Sequence, residues 1–168
     1  MIIALTGFMG SGKTTVGAAL SDLLGVRHAD LDALVEHSEG KSVADIFSSE
    51  GEKGFRTLEL KALRRFLEKG GDAVISLGGG TLSTPAAAAL IREKTLCIYL
   101  RTSPGTLLQR LSPEAGSRPL LQGAPLEERI KGLLEERSAV YERNARAIVD
   151  TDGLTPPEIA DEIIISCL

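Results

Sequence analysis

The 168-residue chain is long enough for one well-buried domain and short for two. With 43% apolar and 25% charged residues it is neither disordered nor fibrous, and a net charge of −4 without a basic cluster excludes a general nucleic-acid footprint. Cys97 and Cys167 have no metal-site spacing, no apolar stretch approaches membrane-spanning length, and the N-terminus enters a strand without a charged leader, so a soluble cytoplasmic protein is expected.

Ile2, Ile3, Ala4 and Leu5 read as a buried strand, and from Thr15 to Leu24 the apolar residues Val16, Ala19, Leu20, Leu23 and Leu24 recur at helical spacing. Between them lies Gly7-Phe8-Met9-Gly10-Ser11-Gly12-Lys13-Thr14, the G-x-x-x-x-G-K-[ST] pattern of a phosphate-binding P-loop. Polyphosphate sits against backbone N–H groups, so side chains are absent where the chain wraps it, at Gly7, Gly10 and Gly12. The helix that follows aims unpaired N–H groups and its positive dipole end at the anion. Lys13 is placed to reach the β- and γ-phosphates and the Thr14 hydroxyl to hold Mg²⁺. Gly10, Ser11, Gly12, Lys13, Thr14 and Thr15 are the expected nucleotide contacts of this loop; Thr15 is an ordinary first-turn residue rather than a metal ligand.

Apolar runs suited to buried parallel strands recur at Ile2–Thr6, Val26–Asp30, Ala73–Leu77, Leu96–Leu100 and Ala147–Val149, with helical patterns between them. The alternation predicts an α/β layered fold with a parallel sheet covered on both faces. Such sheets bind ligands at the C-terminal ends of their strands, so the P-loop, Asp30–Asp32, Gly78–Gly80 and Thr151–Pro157 are expected to converge on one crevice.

In chain order, Asp30 and Asp32 come next. Two carboxylates at a strand end, pointing the same way while the chain stays extended, suit a Mg²⁺-side ligand and a proton acceptor for a substrate hydroxyl. Helix capping by the same residues is the competing reading. Residues 42–69 show two helical patterns broken around Gly51 and Gly54; within them Arg56 follows Phe55 and precedes Glu59 by three, locally a surface helix pair. Gly78-Gly79-Gly80 either admits a ligand to bare backbone amides or forms a flexible loop before a helix near Thr84-Pro85. That strand lacks the acidic end of a Walker B segment, which leaves Asp30 and Asp32 to supply the metal-side carboxylate.

Pro and Gly break any helix from Ser112 to Ala124, predicting a mobile surface loop with Arg110 at its edge and Arg118 inside it. Such arginines suit a lid that closes over ATP and excludes water. Leu126–Arg146 reads as a long amphipathic helix carrying Arg129, Arg137, Tyr141, Arg143 and Arg146, and periodicity does not choose among its arginines.

Taken together, GFMGSGKTTVG, DLD, GEKGFRTLE, SLGGG, RPLL and ERSAVYERNA resemble shikimate kinase over essentially the whole chain. The resemblance implies a three-layer P-loop kinase fold with a five-stranded parallel sheet of order 2-3-1-4-5, in one domain spanning residues 1–168 with a substrate-binding helical region at about 31–60 and a lid at about 112–124. It implies transfer of the ATP γ-phosphate to the 3-hydroxyl of shikimate, in aromatic amino-acid biosynthesis, with ATP and Mg²⁺ and with no nucleic-acid or membrane partner; a monomer is expected. In the family's motifs, Asp30 corresponds to the residue assisting Mg²⁺ and Asp32 to the one binding shikimate hydroxyls as base. Arg56 and Arg137 correspond to the arginines that hold the carboxylate, and Gly78, Gly79 and Gly80 to the glycines that meet hydroxyls through their amides. Arg118 corresponds to the lid arginine on the transferring phosphate and Arg110 to the adenine-stacking arginine, with one residue more between them than the family pattern has.

Shikimate has one carboxylate and three hydroxyls, which suits two guanidinium groups at one end and an acceptor at the other. Rival readings are another small-molecule kinase, such as a gluconate or nucleoside-monophosphate kinase, and a catalytically silent ATP-binding module. GEKGFRTLE and SLGGG count against the first, and retention of Asp32, Arg56, Arg118 and Arg137 against the second.

Overall fold

Consecutive apolar residues leave β1 (Ile2–Thr6) and β3 (Ala73–Ser76) no polar face for water, and both strands are buried along their whole length. The computed structural model describes residues 1–113, 118–121, 123 and 125–168. With β2 (Arg27–Asp30), β4 (Leu96–Arg101) and β5 (Ala147–Asp150), the strands form one sheet of order β2-β3-β1-β4-β5. Every pairing is parallel. This is the sheet expected from the resemblance, with strand ends shifted by a residue.

Helices cover both faces: α1 (Lys13–Leu24) and α7 (Pro156–Cys167) on one, and α3 (Val43–Lys69), α4 (Pro85–Lys94), α5 (Pro104–Leu111) and α6 (Leu126–Asn144) on the other. Val16, Leu20, Ile159 and Ile163 pack with Ile3, Leu5 and Ile98 in the first core. Leu63, Ile91, Leu107 and Tyr141 pack with Ala4, Ile75 and Tyr99 in the second. A third, small cluster of Val35, Ile46 and Phe55 lies between α2 (Leu31–Glu39) and α3. Among the described residues no helix is long and apolar enough to cross a membrane.

Three boundaries differ from the sequence expectation. Of the two glycines expected to break residues 42–69, only Gly51 leaves the helical region, at φ 72 and ψ −179. Gly54 stays helical, and its missing side chain admits Glu50, whose Cβ would lie 2.6 Å from a Cβ there. The α6 helix ends at Asn144, before Arg146, because the Arg146 N–H donates to the Cys97 carbonyl (2.8 Å) and joins the sheet. Of the loop expected over 112–124, residues 114–117, 122 and 124 lie outside the described residues. Pro119–Leu121 is not a free loop: it forms one 3-10 turn, buries Leu121 in the core, and accepts a 2.6 Å hydrogen bond from Arg129 Nε at the Leu120 carbonyl.

Candidate active site

The chain leaves β1 through Gly7, Gly10 and Gly12, all at positive φ (153, 80 and 93), which side chains other than glycine rarely adopt. A Cβ on Gly7 would also lie 2.7 Å from the Leu100 carbonyl. Because α1 starts at Lys13, the unpaired N–H groups of its first turn face the loop. Lys13 is itself 9% exposed, with Nζ donating to the Gly7 and Phe8 carbonyls at 2.9 Å each. Burial lowers its pKa to about 8, against the opposing pull of Asp32 and Asp30. Ser11 Oγ is buried without a hydrogen-bond partner among the described residues.

These groups open onto a cavity of about 640 Å³. Gly10 to Val16 form one wall; Asp30, Asp32, Arg110 and Arg118 line others, and Leu154, Pro156 and Ile159 supply an apolar flank. The segments after β1, β2, β3 and β5 therefore do converge. Arg110, on α5, donates from Nη1 to the Gly10 carbonyl at 3.0 Å.

Asp30 caps the helix, as the competing reading had it, and still faces Thr14. Its Oδ1 caps α2 by accepting from the Ala33 N–H (3.0 Å), while Oδ2 accepts from Thr14 Oγ1 (2.5 Å). Two hard oxygens thus sit side by side at the cavity wall. That donor set fits Mg²⁺, which takes few protein oxygens and completes its shell with water and phosphate. Asp32 meets the site by a route other than the expected extended chain. It occupies the first turn of α2, where burial, reinforced by Asp30 and Glu59, raises its pKa to about 6.

Where the Walker B carboxylate is missing, Ser76 takes the structural part. Its hydroxyl, fully buried at the end of β3, donates to the Lys13 carbonyl (2.8 Å) and pairs with His28 Nε2 (3.0 Å). Gly17 makes room for this, since a Cβ there would lie 2.5 Å from both His28 and Ser76.

A second cavity of about 430 Å³ adjoins the first. Met9, Asp32, Gly78, Gly79 and Arg118 border both. Arg56, Arg137 and Gly80 lie in the second, beneath Phe47 and Phe55. Arg137 is 6% exposed, and its Nη1 is buried with no hydrogen-bond partner among the described residues. A Cβ on Gly80 would lie 2.2 Å from Arg56 Nη2 and 2.8 Å from Arg137 Nη2, so both guanidinium groups close on the bare backbone there.

Glu59 corrects the local reading of Arg56 as half of a surface helix pair. Its side chain is 1% exposed, against 15% for Arg56. Its carboxylate accepts from Arg56 Nη1 (3.0 and 3.1 Å) and from Thr81 Oγ1 (2.9 Å), locking the guanidinium to the turn after β3. The Arg56 guanidinium also lies 5.2 Å from the Phe55 ring centroid. Sequence reasoning did not assign Glu59, Thr81, Ser76 or Leu120 a part in the site. Glu59, Ser76 and Leu120 lie within the motifs GEKGFRTLE, SLGGG and RPLL, and Glu59 also stands three residues after Arg56, but none of these signals gives a role.

A shikimate kinase family model matches residues 9–168. The chain belongs to the shikimate kinase family. Its similarity to curated members is high: it is 41% identical over 162 residues to a shikimate kinase of Thermus thermophilus, covering 96% of this chain and 87% of that one. Among solved structures, shikimate kinase from Acinetobacter baumannii in complex with shikimate superposes with a TM-score of 0.92 at 33% identity, over 97% of this chain and 90% of that one. The shikimate kinase of Aquifex aeolicus gives 0.85 at 37% identity, over 98% and 95%.

Proposed function

We propose that the chain transfers the γ-phosphoryl group of ATP to the 3-hydroxyl of shikimate, yielding shikimate 3-phosphate and ADP. One observation carries the proposal. Two adjoining cavities meet at Asp32 and Arg118, and the second ends in two arginines, one with a buried Nη1 lacking a partner among the described residues. An anionic acceptor satisfies that guanidinium and directs its other end to the junction.

In this reading the loop amides of Gly10, Ser11 and Gly12 and the start of α1 cradle the phosphates. Thr15 contributes at the same helix end, Arg110 borders the base, and Lys13 turns from the Gly7 and Phe8 carbonyls to the β- and γ-oxygens. Thr14 and Asp30 would hold Mg²⁺, which supplies charge compensation to the phosphate oxygens when bound. Arg56 and Arg137 bind the shikimate carboxylate, and the amides of Gly78, Gly79 and Gly80 meet its hydroxyls. Asp32 accepts the proton of the 3-hydroxyl as that oxygen bonds to Pγ and the Pγ–O bond to the β-phosphate breaks, and the electron pair leaves with ADP. Arg118 and Lys13 offset charge on the transferring group.

The acceptor part of the site draws on the helical region of about 31–60, and Arg118, Pro119 and Leu120, from the lid expected over about 112–124, border its other side. A monomer in the cytoplasm belongs to the same proposal. Coupled ADP release with ATP and Mg²⁺ tests the proposal, comparing shikimate, gluconate, AMP and no acceptor. Turnover with shikimate alone is expected; shikimate-independent turnover, or none with ATP binding intact, would refute it.

A further inference from the structure

Tyr141 is 1% exposed, yet it lines neither cavity. It follows Arg137 by one helical turn on α6, so the two residues share a face. Its ring packs on Tyr99 of β4, with centroids 5.0 Å apart and planes tilted by 41°. Its hydroxyl donates to the Gly79 carbonyl. Burial pushes its pKa above the ordinary tyrosine value, so the donor proton stays in place through the neutral range.

The geometry of one peptide unit gives this bond a consequence. No peptide in the described residues is cis, and a planar trans unit sends its C=O and N–H in opposite directions. The Gly79 carbonyl faces Tyr141 in the core behind the glycines. The Gly80 N–H of the same unit therefore points away from Tyr141, and Gly79 and Gly80 both line the acceptor cavity. No backbone carbonyl among the described residues accepts from that N–H. Glycine on both sides leaves the unit free to rotate, since neither residue has a Cβ to forbid the flipped form. The bare backbone that admits a ligand is thus also the backbone least able to fix its own orientation.

We infer that Tyr141 is a positioning residue for the acceptor: by holding the Gly79 carbonyl, its hydroxyl aims the Gly80 N–H at a hydroxyl of the bound acceptor. This rests on the reading of the second cavity as the shikimate site. The rival accounts are packing alone, in which the ring fills the core and the hydroxyl merely satisfies a carbonyl, and support of the Arg137 guanidinium, which the hydroxyl also reaches. A Tyr141→Phe effect that disappears in an Arg137→Lys background would belong to Arg137 and overturn the inference.

Tyr141→Phe separates the inference from packing alone, because it keeps the ring and removes the donor. The shikimate KM is expected to rise roughly tenfold, as for loss of one well-placed hydrogen bond, with the ATP KM unchanged. A lower Tm with both KM values unchanged would overturn the inference. Replacement of Tyr141 by 3-fluorotyrosine retains the donor and serves as the control, with a shikimate KM near that of the unmodified protein. A rise equal to that of Tyr141→Phe would assign the effect to packing and overturn the inference as well. The unmodified chain is assayed alongside. Absence of shikimate turnover there would overturn the functional reading and the inference together, whereas normal turnover there with an unchanged KM in Tyr141→Phe removes only the role of Tyr141.

Discussion

Gly80→Ala adds a single methyl group at the point where two guanidinium groups converge. Gly80 has φ −113 and ψ 6, which alanine adopts without strain, so the backbone itself is not expected to object. The cost falls on side chains. The new Cβ would lie 2.2 Å from Arg56 Nη2, so that group must retreat by about 1 Å, and Arg137 Nη2, at 2.8 Å, must give by less. Arg56 is fixed by both oxygens of Glu59 and Arg137 is buried, so neither moves without losing alignment. Charge-assisted hydrogen bonds are worth about 1.5–3 kcal/mol each. Loss of one fork contact then raises the shikimate KM by roughly 10- to 100-fold. Gly80 does not line the nucleotide cavity, so ATP affinity should hold. Initial rates at saturating ATP, with shikimate titrated, measure the first quantity, and equilibrium ATP binding measures the second. An unchanged shikimate KM would refute the clamp, and a parallel loss of ATP affinity would show that the substitution disturbs the whole crevice instead.

The pH profile follows from two displaced groups. Asp32, held at about 6, takes up a proton as pH falls through that value and can no longer accept one from the substrate. Lys13, at about 8, loses its charge as pH rises past that point. A plot of kcat/KM for ATP should be bell-shaped with limbs near these values, and the alkaline limb of kcat should lie higher because bound phosphate favours charged Lys13. A flat profile from about pH 5 to 9 would contradict both assignments. Asp32→Asn should abolish turnover while ATP binding persists; normal turnover would remove Asp32 as the base. Arg118→Ala should lower kcat by more than it raises the shikimate KM, and the reverse pattern in steady-state kinetics would refute a role on the transferring phosphate.

The parts of this molecule that the sequence makes legible are those whose cause is local. The P-loop needs glycines at fixed intervals between a strand and a helix, and the buried strands need uninterrupted apolar runs, so both can be found along the chain. The cap made by Asp30 can be read because it arises within one turn, whereas its contact with Thr14 spans 16 residues. Glu59 cannot, because its burial depends on Thr81 and the turn after β3, 22 residues away in sequence. Arg137 and Tyr141 are hidden for a related reason. The periodicity of α6 shows that a face is buried but not that this face meets the glycines, and only the motif resemblance separated Arg137 from Arg129, Arg143 and Arg146. Ser76 stands where a Walker B strand would end in a carboxylate, and its hydroxyl bridges to α1 only once the helix is docked.

The break at Gly51 bears on how the molecule comes apart. It splits α3 into a short arm beginning at Val43 and a long one reaching Lys69. The short arm is held by Ile46, with Val43 and Phe47, against Val35 and Phe55, a cluster separate from the two that grip the sheet, whereas α2 also sends Leu31 and Leu34 into the sheet-side core. With so little apolar surface of its own, the short arm has a lower free energy of opening than the strands and can unfold locally while they remain intact. The nucleotide loop follows directly on the fully buried β1, while Val43, Ala44 and Phe47 of the second cavity belong to the short arm. Acceptor entry and exit can therefore proceed through a small local fluctuation that leaves the frame holding the triphosphate undisturbed.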